Sequence, residues 1–352
     1  MSAVALPERA RTRPPLRQQT GPAYTRIHGI GDYRPERIVT NDEICAHLDS
    51  SDAWIRERSG IVTRRQARDD ESVVDMAAAA ARAAMVHAGI DAGEVGAVVV
   101  ATVTHPYQTP AAAPLVAHLL GCDGAAAIDV AAACAGYTYG IALADDMIRC
   151  GRARFVVVGG AEKMSDFRNT SDRSTAFIFG DGAGAAVVGP SDAPGISATV
   201  WGADGSGSDL IRQSVDWATL RQEAHDACVS PDAWPFVTME GPSVFRWATC
   251  QMVPVAKQAL EVAGITVDDL DVFIPHQANT RIIDAMVKKL GLPERVVVAR
   301  DDIADMANTS AASVPLATAR LLREGRANSG DVALQIGFGA GLAWAAQVVV
   351  LP

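Results

Sequence analysis

The chain contains an internal repeat at about half its length, and this repeat limits the folds that it can adopt. Residues Ala84–Ala101 match Ala259–His276, and Ile148–Ala153 match Leu322–Ala327, in both cases at an offset of about 175 residues. Chance similarity is the alternative, but several matches at a nearly constant offset disfavour it. A repeat of this length indicates that two structural units of the same kind follow one another.

Each repeat unit is predicted to consist of a helix, a short polar turn and a strand. The strands are continuous apolar runs, and such runs are typical of mostly parallel sheets that helices cover on both faces. Two copies predict a duplicated α/β fold, a five-layer α/β/α/β/α sandwich with pseudo-two-fold symmetry. We expect one half over residues 23–195 and the other over residues 196–352.

The composition is that of a soluble globular protein, since 49% of the 352 residues are hydrophobic and 20% are charged. The net charge of −10 argues against a nucleic-acid partner. No apolar run reaches the roughly 18 residues that a membrane helix needs, so we expect no membrane partner. Residues 1–22 contain prolines and arginines without the apolar stretch of a signal peptide, and we predict a disordered extension there.

The cysteines are scattered, without C-x-x-C or zinc-like spacing: Cys45, Cys122, Cys134, Cys150, Cys228 and Cys250. This pattern argues against a disulfide framework and against a metal site. It fits a reducing compartment, so we expect a cytoplasmic protein. The scattered cysteine pattern is still compatible with one reactive thiol.

Cys134 is the candidate nucleophile. It follows the small apolar run 126–132 and precedes a predicted helix whose apolar residues recur with helical spacing: Tyr137, Ile141, Ala144 and Ile148. A cysteine at a helix N-terminus lies among unpaired amides that favour an anion, so we expect the pKa of its thiol to be lowered. A small buried side chain is the plainer interpretation of a cysteine in an alanine-rich run.

Two further polar residues stand where an apolar run meets a helical pattern. His276 follows the predicted strand 271–275, at the strand end where parallel sheets place their chemistry. Asn308 precedes two hydroxyl residues, so helix capping is its simplest role. An Asn amide beside a neutral imidazole N–H would also offer two donors to an enolate oxygen. Because the repeat brings the Cys134 and Asn308 loops together, we expect these three side chains to share one pocket.

Two glycine-rich stretches, Gly180–Gly184 and Gly337–Gly341, could suggest a dinucleotide-binding loop. Neither has the G-x-G-x-x-G spacing or opens a convincing helix, which disfavours a Rossmann fold. We expect tight turns that let backbone amides approach a small pocket.

Five motifs, taken together and in this order, resemble those of the β-ketoacyl-acyl carrier protein synthase III family of thiolase-fold condensing enzymes. They are AAACAG around Cys134, FGDGAGA from Phe179, PHQAN around His276, NTSAAS from Asn308 and GFGAGL from Gly337. The similarity spans residues 24–352. It implies a thiolase-like version of the predicted sandwich, a homodimer, and coenzyme A thioesters as substrates without a further cofactor.

The resemblance implies a condensation in two stages. Cys134 would accept an acyl group from acyl-CoA as a thioester. Malonyl-acyl carrier protein would then lose CO₂ while His276 and Asn308 hold the enolate oxygen. The carbanion would attack acyl-Cys134 to give a 3-oxoacyl-acyl carrier protein, the first step of fatty-acid or polyketide synthesis. Backbone N–H groups of Cys134 and Ala340 would form the oxyanion hole.

The resemblance also implies binding residues. Trp54 and Arg58 would bind the adenine of CoA, Arg173 would cover its other face, and Asn279 would touch the pantetheine arm. Exposed surface side chains are the simpler interpretation of the first three. In this acidic chain a basic patch suits an acidic carrier protein, and its members would be Arg246, Arg281, Lys288 and Lys289.

Three positions depart from the family pattern. Ala307 stands where a glycine commonly precedes the Asn, and Pro242 stands where a polar amide near pantetheine is usual. Thr109 stands where some members have a phenylalanine that limits the acyl channel and reaches the partner subunit's site. We expect Thr109, which has less bulk, to admit starter groups larger than acetyl.

Other proteins of this fold fit the sequence less well. A degradative thiolase needs a second cysteine near Gly337–Trp344, and elongating synthases have a second histidine where Asn308 stands. Two alternatives stay open. One is an acyltransferase that moves the acyl group to another nucleophile without decarboxylation. The other is a non-catalytic partner subunit, although such subunits usually lack the cysteine that is present here.

Overall fold

The computed structural model describes residue 16 and residues 19–225 and 234–352. Most of the predicted N-terminal extension therefore lies outside the described residues, as does Cys228. At the described end of that extension, the Gly21 N–H donates a hydrogen bond to the Arg149 carbonyl (2.9 Å).

The described chain contains both strands and helices. The strands are β1 (Tyr24–Tyr33), β2 (Arg37–Thr40), β3 (Thr63–Gln66), β4 (Val95–Ala101), β5 (Ala126–Val130), β6 (Phe155–Glu162), β7 (Gly182–Ser191), β8 (Val200–Ala203), β9 (Ile211–Gln213), β10 (Val237–Met239), β11 (Val272–Pro275), β12 (Val297–Val298), β13 (Val332–Gly339) and β14 (Ala343–Val350). The helices are α1 (Asn41–Cys45), α2 (Asp52–Ser59), α3 (Val73–Ala88), α4 (Ala112–Leu120), α5 (Gly136–Arg149), α6 (Trp217–His225), α7 (Gly241–Ala263), α8 (Thr280–Leu290), α9 (Asp302–Met306) and α10 (Ser313–Arg323).

Ten of these strands form two five-stranded sheets with the same topology. The strand order is β1-β7-β6-β4-β5 in the first sheet and β8-β14-β13-β11-β12 in the second. In each order the first two pairings are antiparallel and the last two are parallel. Equivalent strands β4 and β11 begin at Val95 and Val272, close to the offset of the sequence repeat. The predicted duplication is therefore present in the fold.

Helices occupy three layers around the two sheets. Helices α3 and α4 cover the outer face of the first sheet, α5 and α10 lie between the sheets, and α7 and α8 cover the second sheet. Clusters of buried apolar side chains fill the spaces between successive layers. This arrangement is the predicted five-layer α/β/α/β/α sandwich. The expected boundary at residues 195 and 196 falls between β7 and β8.

The repeated segments form equivalent local structures. Helices α3 and α7 end at Gly89 and Gly264, whose φ angles of 66° and 73° are left-handed and suit glycine. A turn then leads from each helix into β4 or β11. The predicted apolar stripe of α5 is fully buried between the sheets: Tyr137, Ile141, Ala144 and Ile148. Among the described residues, no helix has both the length and the hydropathy to cross a membrane.

Strand β5 differs from its neighbours because it lies at the edge of the first sheet. Its residues, from Ala126 to Val130, are exposed or half-buried, whereas those of β4 and β6 are almost all buried. An apolar edge strand presents backbone groups that can pair with another chain. The prediction of strands covered on both faces therefore does not hold for β5.

The prediction that both glycine-rich stretches form tight turns was wrong for most of their residues. Gly182 and Gly184 lie in β7, and Gly337 and Gly339 lie in β13. A Cβ atom on Gly184 would come within 2.8 Å of the Pro315 side chain, so the strand could not pack against α10. Glycine is needed in these strands for close packing of neighbouring elements.

Candidate active site

One pocket of about 790 Å³ contains the three candidate catalytic side chains. Cys134, His276 and Asn308 line it together with Phe338 and Gly339. The three candidates come from the start of α5, the end of β11 and the loop before α10. The pseudo-symmetry explains this meeting, because α5 and α10 are equivalent helices of the middle layer and both begin near the pocket.

Cys134 lies in a short 3₁₀ turn immediately before α5. Ala133, which precedes it, has a φ of 43°, and this unusual backbone turns the cysteine toward the pocket. Cys134 is half-buried. Burial raises the pKa of its thiol to about 12; the nearby Glu162 carboxyl adds to this rise, and a hydrogen bond from Ser310 opposes it. The expected lowering of the pKa by the helix N-terminus was therefore wrong.

His276 follows β11 and is 2% exposed. Its backbone N–H donates to the Ile336 carbonyl (2.8 Å), which fixes it against β13. The imidazole packs edge-on against Phe338, with 5.4 Å between ring centroids and an 87° interplanar angle. Burial lowers the pKa of His276 to about 3, so the imidazole is neutral at physiological pH.

Ser313 is the hydrogen-bond partner of the His276 imidazole. Its Oγ lies 2.7 Å from His276 Nδ1, and the backbone N–H of Gln277 donates to the same oxygen (3.4 Å). The Ser313 hydroxyl can donate to Nδ1 while its oxygen accepts from Gln277, and we assign the hydrogen bond in this direction. The imidazole proton then resides on Nε2. This tautomer provides the N–H donor that an enolate oxygen requires.

Asn308 is held on both its backbone and its side chain. Its backbone N–H donates to the Ile178 carbonyl (2.9 Å), and its Oδ1 accepts from the Ser310 N–H (2.8 Å). This hydrogen bond forms a turn, which is the capping role expected of an Asn. It leaves the Nδ2 group as a donor for the pocket. The preceding Ala307 has φ 56° and ψ −157°, a conformation that favours glycine and costs alanine about 1–3 kcal/mol.

The residues proposed for the oxyanion hole lie on adjoining backbone segments. A Cβ atom on Gly339 would be 2.9 Å from Cys134 Sγ and 3.4 Å from the Cys134 nitrogen. The Gly339 backbone therefore packs closely against Cys134. The amide nitrogen of Ala340 is two bonds away from the Gly339 Cα, which keeps both predicted amides within one small region.

The predicted adenine site contains a tryptophan with two arginines close to its ring. Ser51 caps α2 by accepting from the Trp54 N–H (3.2 Å), and the Trp54 ring meets Phe177 edge-on. The guanidinium carbons of Arg173 and Arg58 lie 5.0 and 5.8 Å from the Trp54 ring centroid. An aromatic base that stacked between Trp54 and Arg173 would require the exposed arginine to move outward.

Asn279 lines the pocket and connects two helices. Its Oδ1 caps α8 by accepting from the Arg281 N–H (2.9 Å), and its Nδ2 donates to the Arg58 carbonyl (2.9 Å). The second Nδ2 hydrogen can serve a ligand. Pro242 also lines the pocket, in the first turn of α7, where proline needs no hydrogen-bond partner for its nitrogen.

The four predicted carrier-binding residues fall into two groups. Arg246 and Arg281 line the pocket, and the Arg281 guanidinium lies over the Phe245 ring (5.3 Å). Lys288 and Lys289 lie two turns further along α8. The Lys289 ammonium donates to the Thr249 carbonyl (2.7 Å), and this hydrogen bond joins α8 to α7.

Thr109 does not line the chain's own pocket. It lies exposed in the loop between β4 and α4, close to the exposed Tyr107. Among the residues from 19 to 225 and from 234 onward, no group of three or more His, Cys, Asp or Glu side chains is placed to hold a metal ion.

Three residues around the pocket were missed from the sequence. Ser313 contacts the imidazole (2.7 Å), and the Ser310 hydroxyl donates to the fully buried Glu162 (2.9 Å). The two serines stand one helical turn apart in NTSAAS, which offered a weak signal. Glu162 is the last residue of the apolar strand β6. A lone acidic residue at the end of an apolar run was the sequence feature that could have indicated its importance.

The fold and the pocket define a class of enzyme. A doubled five-layer sandwich that brings a thiol, a neutral imidazole and an amide into one cavity can carry an acyl group on sulfur and bind an enolate oxygen. This combination is that of a thiolase-fold condensing enzyme.

Comparison with known proteins agrees with this class. Residues 128–205 match the family described as 3-oxoacyl-[acyl-carrier-protein (ACP)] synthase III, and residues 260–351 match its C-terminal part. The β-ketoacyl-[acyl-carrier-protein] synthase III of Streptomyces glaucescens is 53% identical over 337 residues, covering 96% of this chain and 99% of the relative. The chain belongs to the β-ketoacyl-acyl carrier protein synthase III family.

Solved structures support the fold assignment. The priming β-ketosynthase of a polyketide biosynthetic pathway superimposes with a TM-score of 0.91 at 48% identity, covering 96% of this chain and 99% of that one. The 3-oxoacyl-(acyl carrier protein) synthase III of Pseudomonas aeruginosa gives 0.84 at 38% identity, covering 94% and 98%. The predicted thiolase-like fold and the predicted class of acyltransferase are confirmed.

Proposed function

We propose that Cys134, His276 and Asn308 carry out the decarboxylative condensation of an acyl-CoA starter with malonyl-acyl carrier protein. The enzyme is an acyltransferase of the condensing type that initiates fatty-acid or polyketide synthesis. The observation that supports the residue assignment is the single pocket that holds a thiol, a neutral imidazole and an amide.

In the first stage the Cys134 sulfur attacks the carbonyl carbon of acyl-CoA. The backbone N–H groups of Cys134 and Ala340 stabilise the oxyanion, which is typically worth about 3–4 kcal/mol per donor. The bond to the CoA sulfur then breaks, and the acyl group remains on Cys134 as a thioester. The half-buried position of Cys134 limits the access of water to this thioester.

In the second stage malonyl-acyl carrier protein enters the same pocket. Its carboxylate leaves as CO₂, and the electron pair passes into an enolate whose oxygen accepts from His276 Nε2–H and Asn308 Nδ2–H. The enolate carbon attacks the acyl-Cys134 carbonyl, and the Cys134 sulfur is expelled. A neutral imidazole suits this role because it donates without giving up a proton to the enolate oxygen.

We propose that both substrates enter past the polar mouth of the pocket. Trp54, Arg58 and Arg173 would bind the adenine of CoA, and Asn279 the pantetheine arm. The basic side chains at the mouth, Arg246 and Arg281, would contact the carrier protein, and Lys288 with Lys289 would extend this contact along α8. Acidic carrier surfaces complement such a patch in a protein of net charge −10.

We further propose a homodimer that forms along the edge strand β5. Exposed apolar side chains accompany this edge: Val103, Tyr107, Leu115, Leu119 and Ile128. Exposed apolar patches next to a free strand edge are typical of subunit interfaces. In such a dimer Thr109 would enter the partner's acyl channel. We also propose a cytoplasmic location, because the free cysteines suit a reducing compartment.

The proposal is tested by separating the two stages in variants. Cys134→Ala should accept no acyl group from acyl-CoA. His276→Ala and Asn308→Ala should still form acyl-Cys134 but release CO₂ from malonyl-acyl carrier protein at least about 10²-fold more slowly, as for the loss of one oxyanion donor. If His276→Ala and Asn308→Ala lose acylation and decarboxylation equally, the assigned roles are wrong.

A further inference from the structure

A tryptophan of α7 lines the pocket and has no role in the steps above. The indole of Trp247 packs against the Phe338 ring, with 6.0 Å between ring centroids and an interplanar angle of 70°. It also packs against Trp344, with 6.4 Å between centroids. Phe338 in turn meets the His276 imidazole edge-on (5.4 Å). Ring contacts therefore connect Trp344, through Trp247 and Phe338, to the imidazole.

The second sheet keeps two of these rings side by side. Phe338 and Trp344 are direct partners in the β13–β14 ladder, so their side chains lie on the same face of the sheet. The residue opposite Trp344 in β8 is Gly202, and a Cβ atom there would come within 2.6 Å of the indole. Since α7 packs on this face, Trp247 rests on a pair of rings whose places the strands determine.

Trp247 is the ring of this set that holds Phe338 from the α7 side. Phe338 is 3% exposed, whereas Trp247 is half-buried and lines the pocket. An edge-to-face pair shifts an equilibrium between ring positions roughly 2- to 12-fold. Loss of the indole would release Phe338 on one side and open a space next to it that solvent from the pocket can enter.

Water in the pocket would compete with the second stage of the reaction. After CO₂ has left, the enolate carbon can attack the acyl-Cys134 carbonyl, which forms a carbon–carbon bond and expels the Cys134 sulfur. It can instead take a proton from water, which forms a carbon–hydrogen bond and leaves hydroxide. The second course converts malonyl-acyl carrier protein into acetyl-acyl carrier protein, and the acyl group stays on Cys134. Exclusion of water therefore favours condensation.

We propose that Trp247 is a positioning residue that holds Phe338 against the His276 imidazole and keeps water away from the enolate. It acts through Phe338, whose ring offers water no hydrogen-bond partner, so that the part of the pocket next to the imidazole stays dry. The proposal rests on the proposed function, because the enolate that Trp247 protects is the one assigned to His276 and Asn308.

The ratio of the two carrier products tests the proposal. Enzyme is first acylated with acetyl-CoA or isobutyryl-CoA, whichever acylates the wild type further, and then receives carrier protein with an isotopically labelled malonyl group. Intact mass of the carrier gives the ratio of labelled acetyl to 3-oxoacyl product, and labelled acetyl can arise only by decarboxylation without condensation. The fraction of folded enzyme does not enter this ratio, so a purely structural defect leaves it unchanged.

Trp247→Ala removes both ring contacts and should raise the acetyl to 3-oxoacyl ratio by at least about threefold. Trp247→Phe keeps an aromatic ring next to Phe338 and should stay within about twofold of the wild-type ratio. If Trp247→Ala does not fold, Trp247→Leu takes its place, because leucine keeps apolar bulk but offers Phe338 no aromatic ring.

Trp201→Ala is the matched control. Trp201 is a 44% exposed tryptophan of β8, in the same sheet. It lies next to Gly202 in the strand, so its side chain is on the opposite face from Trp344, and it packs against Tyr139 of α5. We expect Trp201→Ala to keep the wild-type ratio.

Each outcome decides the proposal. A raised ratio in Trp247→Ala, with Trp247→Phe and Trp201→Ala close to wild type, supports it. An unchanged ratio in Trp247→Ala overturns it even if turnover is slower, and so does an equal rise in Trp247→Phe or in Trp201→Ala. A wild-type enzyme that forms an acyl group on Cys134 but neither carrier product contradicts the proposed function itself, and the role of Trp247 with it.

Discussion

Replacement of Ser313 by alanine should slow the decarboxylation stage and leave acylation of Cys134 nearly unchanged. In the assigned tautomer the Ser313 hydroxyl donates to Nδ1 and keeps the His276 proton on Nε2, and both residues are almost fully buried. Without it, either Nδ1 lacks a hydrogen-bond partner or the ring adopts the other tautomer and loses its Nε2–H donor. Only the enolate-forming stage uses that donor.

The size of the effect follows from the burial of the hydrogen bond. An unpaired polar atom in a buried site costs about 1–3 kcal/mol, because water does not replace the lost partner. The same free energy applied to the transition state slows decarboxylation roughly 5- to 150-fold. Acylation, which places the oxyanion against backbone N–H groups, should change by less than about threefold.

The two stages can be measured on the same preparation. Acyl-Cys134 formation is followed by rapid quench and intact mass, and CO₂ release is followed in a single turnover of pre-acylated enzyme with carboxyl-labelled malonyl-acyl carrier protein. Thr318→Val is the matched control, since this hydroxyl on the same helix donates to the Val314 carbonyl (2.8 Å) and not to the imidazole. Equal slowing of both stages in Ser313→Ala, or no slowing of CO₂ release, would refute the tautomer assignment.

Five further predictions concern substrate binding, carrier-protein binding and pH. Trp54→Ala should raise KM for acyl-CoA about 5- to 150-fold with little change in kcat, because stacking of a base is worth about 1–3 kcal/mol; steady-state kinetics checks this. Thr109→Phe should shift preference toward acetyl-CoA in competition assays, and an unchanged preference would remove the proposed channel role. Lys288→Glu should slow carrier-protein association and weaken its salt dependence in stopped-flow measurements, without affecting acyl-CoA. Single-turnover decarboxylation should show no inflection near pH 6.5, since the His276 pKa is about 3. For the same reason this histidine should cost folding stability progressively as the pH falls from 6.5 toward 3, which His276→Gln would relieve in acid-unfolding experiments.

The large-scale fold could be predicted because short sequence patterns indicate where its helices and strands lie. The repeat around Gly89 and Gly264 reflects a helix end that needs a left-handed residue, and the apolar runs after them reflect buried strands. These signals depend on neighbours along the chain. Strand β5 was predicted less well because its apolar residues do not reveal that it lies at the edge of a sheet.

The site could be predicted only in part, for a related reason. Cys134, His276 and Asn308 stand in motifs that mark their positions, whereas the contact between Glu162 and Ser310 joins residues 148 positions apart. The direction of the pKa shift of the Cys134 thiol could not be predicted from the sequence either. Its place before a helix favours a lowered pKa, but burial and the Glu162 carboxyl arise from tertiary packing, and they raise the pKa instead.

Mass spectrometry of the enzyme after sequential addition of its substrates tests the central claim most directly. The enzyme is first treated with a panel of short straight and branched acyl-CoAs, digested and analysed, and a second sample then receives malonyl-acyl carrier protein. The account predicts an acyl group on Cys134 that moves to the carrier as a 3-oxoacyl group with loss of CO₂. An acyl group that persists on Cys134 after malonyl-acyl carrier protein is added, or acylation at another cysteine with Cys134 unmodified, would contradict it.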